Sequence, residues 1–448
     1  MRFYFQPMLD LKYSTILRVA VPLMFSSFVQ SIVLLTDTAF LSRYSTLAFD
    51  ANGNAGLIYI TFFMAMFGMS DGSQILTARR VGEKKLNEIG SIFQSNIFIL
   101  FCLSILFFSI IQFFGPTLLP IINNSQALAQ AQIEFLSIRS YALFFAVITL
   151  SIQSYFFAIG KTSVVLLGSG IIAVTNIFLD WFLIFGNKWM DPQGLDGAAW
   201  ASTIAEGVGM LYLIIALAVH KKHISYTLLK NINVFKNVRS ALKIGTPLFF
   251  QSFVALGTWV VFFTWIENMG MYELTVSQNI RSLYFLAFIP VFGFAYTTKT
   301  YISQYIGDKQ FDSLKKIQFR IILLSVIFLL VFFHGALLYP EVLIRLVNPN
   351  EEYVKASAEI LRFVFASLIL FSISSVFVQT INGSGNTTAS FFIEILGCFF
   401  YTLYGYVTIK VLQLDIFWVW SIEYVYYGLN LIIAVIYIKF FNWKSKTI

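Results

Sequence analysis

The sequence predicts an all-α integral membrane protein, with twelve transmembrane helices in two six-helix lobes related by a pseudo-two-fold axis along the membrane normal. Three observations carry this reading. Of 448 residues, 58% are apolar and only 12% charged, against about 25% charged in soluble proteins. Stretches such as Gly90 to Ile133 contain no charged residue. The two halves of the chain also repeat one another at a single offset.

A spanning helix takes about 20 mostly apolar residues, so twelve spans occupy roughly 240 positions and leave short connections but no large soluble domain. With Gly, Pro and charge clusters as punctuation, the helices are expected near 14–40, 54–78, 92–114, 132–158, 163–186, 196–219, 244–266, 278–303, 317–338, 355–380, 388–411 and 416–439. Alternate connections then differ sharply in charge. One side collects Arg79, Arg80, Lys84 and Lys85, the run Lys221, Lys222, Lys230, Lys236, Arg239 and Lys243, and Lys309, Lys315, Lys316 and Arg320. By the positive-inside rule that side is cytoplasmic, together with both termini, in the inner or plasma membrane of the cell. No small-residue cleavage site precedes the first helix, which is therefore expected to remain in the mature chain.

The same composition excludes other classes. Cys102 and Cys398 both lie in apolar runs, and the histidines are His220, His223 and His334, so no disulfide framework or Cys/His metal site can be assembled. An integral membrane enzyme needs a His/Asp or metal cluster at the interface, and none is visible; neither enzymatic activity nor a cofactor is expected. The net charge of +8 reflects loop topology rather than nucleic-acid binding.

Pro22, Leu23, Phe25, Ser27, Phe28 and Val29 recur as Pro247, Leu248, Phe250, Ser252, Phe253 and Val254, an offset of 225 residues. The offset does not drift. Phe67 and Gly68 return as Phe292 and Gly293, Gly82 and Lys84 as Gly307 and Lys309, and Gly160 and Thr162 as Gly385 and Thr387. A duplicated six-helix unit follows, giving an N-terminal lobe at 1–220, a basic cytoplasmic linker at 221–243 and a C-terminal lobe at 244–448. Six spans per copy place both copies in the same orientation, the parallel type of transporter repeat. Such a two-lobe unit is sufficient as a monomer in the lipid bilayer.

Functional groups are sought where the copies differ in polarity, because a carboxylate inside the membrane is costly and is kept for function. Asp37 has Phe262 as its counterpart. Gln30, seven residues earlier, falls within about 20° of Asp37 on a helical wheel. Asn176 and Asp180 share a face at i and i+4, and their counterparts are Tyr401 and Gly405. Counted from Arg43 and Lys188 at the outer helix ends, both aspartates lie roughly 10 Å below the outer boundary. Two carboxylates at one depth cannot both stay ionised without a proton or a cation between them. Protons can serve, or Na⁺ held by Asp37, Asp180, the Asn176 carbonyl oxygen and a hydroxyl such as Thr203. For Asp180, beside Trp181, the alternative is a side chain that snorkels to the outer interface. Glu206, Glu394 and Glu423 lie within helices 6, 11 and 12 and either line a water-filled cavity or are satisfied by a neighbour. Glu134 and Glu359 recur in both copies beside Arg139 and Arg362, a pattern expected of ion pairs at the outer rim.

These residues resemble those of the multidrug and toxic compound extrusion (MATE) family over nearly the whole chain. The matching pieces are Pro22 followed by Asp37-Thr38-Ala39-Phe40, then Ala78-Arg79-Arg80-Val81-Gly82-Glu83, Gly160-Lys161-Thr162, Asn176-Ile177-Phe178-Leu179-Asp180, and Gly194-Leu195-Asp196-Gly197-Ala198-Ala199-Trp200-Ala201-Ser202-Thr203. The resemblance implies a twelve-helix, two-lobe antiporter that expels amphipathic, often cationic small molecules in exchange for H⁺ or Na⁺ by alternating access. In the branch called DinF-like, the functional Asp of helix 1 and the Asn and Asp of helix 5 fall on Asp37, Asn176 and Asp180. A polar residue falls on Gln30, and a helix 4 amide on Gln153. Trp181 stands where the family usually has Pro, and the helix 7 Glu of other branches is absent. The runner-up implied by the wider superfamily is a flippase for lipid-linked saccharides.

Overall fold

The computed structural model describes residues 8–123, 125–186, 188, 190–219, 233–444, 446 and 448. Arg2, Lys221, Lys222, Lys230, His220 and His223 lie outside them, as does the first half of the expected linker. The long helices are α1 Tyr13–Tyr44, α2 Thr46–Gly82, α3 Leu86–Ile122, the bent pair α4 (Gln126–Arg139 with Ala142–Ala158), α5 Thr162–Ile184 and α6 Gly194–Val219. The second half follows with α7 Val238–Glu267, α8 Met271–Gly307, α9 Phe311–Phe333, α10 Glu351–Gly383, α11 Thr387–Val411 and α12 Ile416–Phe440. Eleven of these are long and apolar enough to cross a membrane, and the pair with its 47° bend makes twelve. The chain is a multi-pass membrane protein.

Local chemistry explains where the helices depart from expectation. α2 begins at Thr46 rather than near 54, because Ser45 caps it: its backbone is extended and its hydroxyl accepts from the Ala48 amide at 3.0 Å, which satisfies one orphan donor of the first turn. Asn350 does the same for α10, accepting from the Glu352 amide at 3.1 Å. α3 continues past its expected end through a π-helical turn at Ile110–Phe114. α7 begins at Val238, inside the expected linker, and the residues just before it are tied to α3. Asn233 donates its backbone N–H to Gln94 Oε1 at 3.0 Å, and the Asn237 amide donates to Ser91 Oγ at 2.7 Å.

By packing, the chain divides into two units. One contains Phe25–Phe249, and the other Leu9–Met24 together with Phe250–Ile448. This division differs from a partition into 1–220, 221–243 and 244–448, because the opening turns of α1 and α7 each belong to the unit built mainly from the other copy. Two glycines separated by the repeat offset explain it. In the first unit a Cβ on Gly68 would stand 2.7 Å from the Leu248 carbonyl oxygen. In the second, a Cβ on Gly293 would stand 2.9 Å from the Ala20 carbonyl oxygen and 2.4 Å from Met24 Cγ. Only a residue without a side chain allows the backbones to approach so closely.

Within each unit the same pairs of helices meet. In the first, α2 packs on α3 and α4, α4 on α6, and α5 on α6. In the second, α8 packs on α9 and α10, α10 on α12, and α11 on α12. The cores differ in content. The second unit is centred on large buried aromatics, with Phe262 edge-to-face against Tyr401 at 5.3 Å and against Trp420 at 5.8 Å. The first keeps polar groups at the corresponding place.

Candidate functional site

The polar cluster is assembled from four helices of the first unit. On α1 the neighbouring hydroxyls are consumed locally: Thr36 donates to the Val33 carbonyl at 2.8 Å and Thr38 to the Leu34 carbonyl at 2.7 Å. Asp37 is thus the group that α1 contributes. α5 runs without interruption from Thr162 to Ile184, Trp181 notwithstanding, so Asn176 and Asp180 stay one turn apart on a single face. α6 supplies Ser202, Thr203 and Glu206. The bend in α4 follows directly on Arg139.

Asn176 is the hub. With its amide oriented so that both ends are satisfied, the nitrogen donates to Asp37 Oδ1 at 2.9 Å and to Asp180 Oδ2 at 3.2 Å, while the oxygen accepts from Ser202 Oγ at 3.2 Å. The Asp180 and Ser202 side chains also neighbour the Asp37 carboxyl. Asp180 is 0% exposed and its Oδ1 is buried without a hydrogen-bond partner. The snorkelling alternative is thereby overturned: Trp181 is 58% exposed while Asp180 faces inward.

A second group adjoins this one. Arg139 Nη2 lies 2.6 Å from Glu206 Oε1, Tyr59 donates to Glu206 Oε2 at 2.9 Å, and the guanidinium sits 4.0 Å from the Tyr59 ring centroid. Arg139 also donates to Thr203 Oγ1 at 3.4 Å. The rim pairs expected from the repeat do not form. Arg139 is buried and pairs with Glu206, whereas Glu134 accepts from Gln130 at 2.8 Å; Glu359 is exposed, and Arg362 donates to the Leu337 carbonyl. Arg139 sits on the inward face of α4, where burial calls for a carboxylate partner, and Glu206 is the one within reach.

The residues singled out from the sequence therefore separate into three groups. Asp37, Asn176 and Asp180 are brought together. Thr203 and Glu206 are engaged with Arg139, and Ser202, one position earlier, is the hydroxyl that reaches the aspartate cluster. Gln30 is exposed and Gln153 half-buried, and neither is hydrogen-bonded to the cluster. Sequence reasoning missed Ser202 and Tyr59 and set Arg139 at the outer rim. Tyr59 left one signal, its return as Tyr284 at the repeat offset. Among the described residues no three His, Cys, Asp or Glu side chains are placed to hold a metal ion.

Neither Asp37 nor Asp180 has a Lys or Arg in ion-pair contact among the described residues; Asn176 and Ser202 lie against the pair, and the Arg139 guanidinium acts on it from a greater distance. A duplicated bundle of up to twelve spans that keeps a half-buried Asp37 beside a buried Asp180 in one unit has the architecture of a membrane transporter.

Comparison with known proteins names the family. The MatE family model matches residues 22–182 and again residues 247–407, two segments related by the same 225-residue offset. The chain belongs to the MatE (MATE) family of membrane transporters. It is 22% identical over 411 residues to a probable multidrug resistance protein NorM of Thermotoga maritima, covering 90% of this chain and 87% of the relative. It is 26% identical over 285 residues to the uncharacterized transporter YisQ of Bacillus subtilis, covering 62% of this chain and 61% of that one. Among solved structures it resembles a MOP superfamily transporter from Pyrococcus furiosus, with a TM-score of 0.86 at 16% identity over 95% of this chain and 94% of that chain. An outward-facing multidrug resistance MATE family transporter gives a TM-score of 0.84 at 16% identity over the same shares. These two likenesses establish the fold.

Proposed function

We propose that the chain exports amphipathic, cationic drugs or toxic metabolites across the cell membrane by alternating access, in exchange for H⁺ or Na⁺ bound at Asp37, Asn176 and Asp180. The observation that carries this reading is the junction of Asp37 and Asp180 through the Asn176 amide, at positions whose counterparts are Phe262, Gly405 and Tyr401. One unit owns the titratable pair and its copy does not. A proton or Na⁺ between the carboxyls would satisfy the orphaned Asp180 Oδ1, and its release would leave two adjacent negative charges. That difference in free energy is what coupling requires. Both termini are assigned to the cytoplasm from the Lys and Arg distribution, and the two-unit chain acts as a monomer.

The interior acidic groups weigh against a lipid-linked saccharide substrate. A flippase needs uncompensated cationic groups for pyrophosphate, whereas Arg139 is already neutralised by Glu206. The test is transport in proteoliposomes with an imposed pH or Na⁺ gradient. A fluorescent organic cation should accumulate with the gradient and fail to do so in Asp37→Asn. Transport indifferent to both gradients and to that substitution would remove the proposed coupling.

A further inference from the structure

The position of the Asp37 cluster is not empty of acid in the second unit. Phe262, Tyr401 and Tyr427 stand at the repeat offset from Asp37, Asn176 and Ser202, and Tyr284 at the offset from Tyr59. Among them lies a carboxyl group that has no counterpart in the first unit, since Glu423 aligns with Ala198. Glu423 is 0% exposed. Tyr401 donates to its Oε1 at 3.1 Å, Tyr284 Oη lies 3.3 Å from its Oε2, and the Tyr427 hydroxyl neighbours the carboxyl.

α8 contributes Tyr284, while Arg281, one turn earlier, lies 4.7 Å from the Phe263 ring. α11 contributes Tyr401 and, further along, Glu394, which accepts from Tyr426 of α12 and from the Gln251 amide at 3.4 Å. α12 contributes Tyr426 and Tyr427, α10 only the hydroxyl of Ser367, and α7 the apolar Phe262. Among the described residues no Lys or Arg pairs with Glu423. An isolated ionised carboxylate in such a place is costly.

Counting hydroxyl hydrogens shows how the cage can accommodate both states. Ser367 Oγ donates to the Val364 carbonyl at 2.6 Å, and Tyr284 Oη lies 3.1 Å from Ser367 Oγ. While Ser367 keeps that bond, Tyr284 must donate to Ser367, and its contact with Glu423 Oε2 is then made by a proton on the carboxyl. When the carboxyl O–H bond breaks and the proton passes to water admitted to the cage, Tyr284 turns its hydrogen to the carboxylate. Ser367 then turns from Val364 to Tyr284. Two hydroxyl rotations, with no shift of a heavy atom, keep the Glu423 carboxyl and the Tyr284 and Ser367 oxygens bonded.

We propose that Glu423 is a second proton-exchanging site, caged by Tyr284, Tyr401 and Tyr427 in the unit that lacks the Asp37 cluster. The donors are phenols and the lone acid is one carboxyl, a set suited to a proton and poor for a metal ion. Because the Asp37 reading could fail independently, the test reads protonation rather than transport and is made on purified full-length protein carrying Asp37→Asn. Infrared difference spectra are recorded as pH is stepped over about 5 to 9. A protonated-carboxyl band should titrate with accompanying tyrosine bands, and Glu423→Gln should abolish it. Tyr284→Phe, which retains the carboxyl but removes the rotating hydroxyl, should change the proton affinity of that band by about tenfold. If Glu423→Gln does not fold, Tyr284→Phe decides alone. A carboxyl spectrum unchanged by the folded Glu423→Gln, or by Tyr284→Phe when only that variant folds, overturns the proposal.

Discussion

Asn176 Nδ2 stands 2.9 Å from Asp37 Oδ1 and 3.2 Å from Asp180 Oδ2, so a single neutral amide bridges two carboxyl groups from different helices. The bridge carries no charge of its own. It also fixes the distance between α1 and α5 at the site.

Replacing the hub should therefore cost more than one hydrogen bond. Asn176→Leu leaves both carboxyls without their shared donor, a penalty of about 1–3 kcal/mol per buried group. Gradient-driven uptake in proteoliposomes is expected to fall at least about tenfold, while Asn176→Gln, which retains the amide, keeps part of it. Uptake by Asn176→Leu equal to that of the parent would show that the bridge plays no part in coupling.

Arg139 and Glu206 form a largely buried pair, with side chains 9% and 23% exposed. Breaking such a pair from one side typically costs about 3–5 kcal/mol, because the remaining charge is stranded. Arg139→Gln and Glu206→Gln should each lower the apparent unfolding temperature in detergent, and the double variant should lose much less than their sum. Additive losses would mean that the two residues act separately.

Close backbone approach at Gly68 and Gly293 predicts steric intolerance. Gly68→Val and Gly293→Val should each destabilise by about 1–3 kcal/mol through overpacking. Gly53, which has nothing within 4 Å of a built Cβ, is the control, and Gly53→Ala should be neutral or mildly stabilising. Equal behaviour of all three in thermal unfolding would argue against the tight crossings.

Lys84 and Lys309, one repeat apart, both adopt the left-handed conformation, with φ of 61° and 59°. An L-residue pays about 1–2 kcal/mol there and Gly almost none. Lys309→Gly should raise the unfolding temperature, with Lys309→Ala giving no gain. A loss of stability in Lys309→Gly would show that the side chain contributes more than the backbone strain removes.

Asp10 precedes α1, and hydrogen bonds from the Thr15 side chain and the Lys12 backbone N–H hold its carboxyl below the usual range. A lowered value in the folded state means that its contribution is complete above the ordinary aspartate pKa of about 3.9 and is lost as pH falls through the lowered value. Hydrogen exchange of the first α1 amides should therefore speed up in acid, beyond the intrinsic trend, in the parent but not in Asp10→Asn. Identical pH profiles would detach Asp10 from the helix start.

Much of this was legible in one dimension. The 225-residue offset is visible because duplicated helices keep the residues at their tight crossings, such as Pro22 with Pro247 and Gly68 with Gly293. Asp37 and Asp180 stand out because a carboxylate is conspicuous inside an apolar run. Arg139 was misplaced because a position near a helix end does not say which way the side chain turns, and the bend after it, invisible in composition, decides that. Ser202 was passed over for Thr203 because adjacent hydroxyls on a helix differ by 100° of rotation, and only packing against α5 selects one.

By itself the sequence determined that this chain lives in a membrane, how many times it crosses, and that it is built twice, because hydrophobic length and repetition are properties of order along the chain. The tertiary structure alone decided which polar groups meet, that the opening turns of α1 and α7 change partners, and that Glu423 lies among tyrosines where the first unit has its aspartates. Those depend on the azimuth and crossing of helices, which are set by side-chain packing between segments from about 20 to more than 200 residues apart.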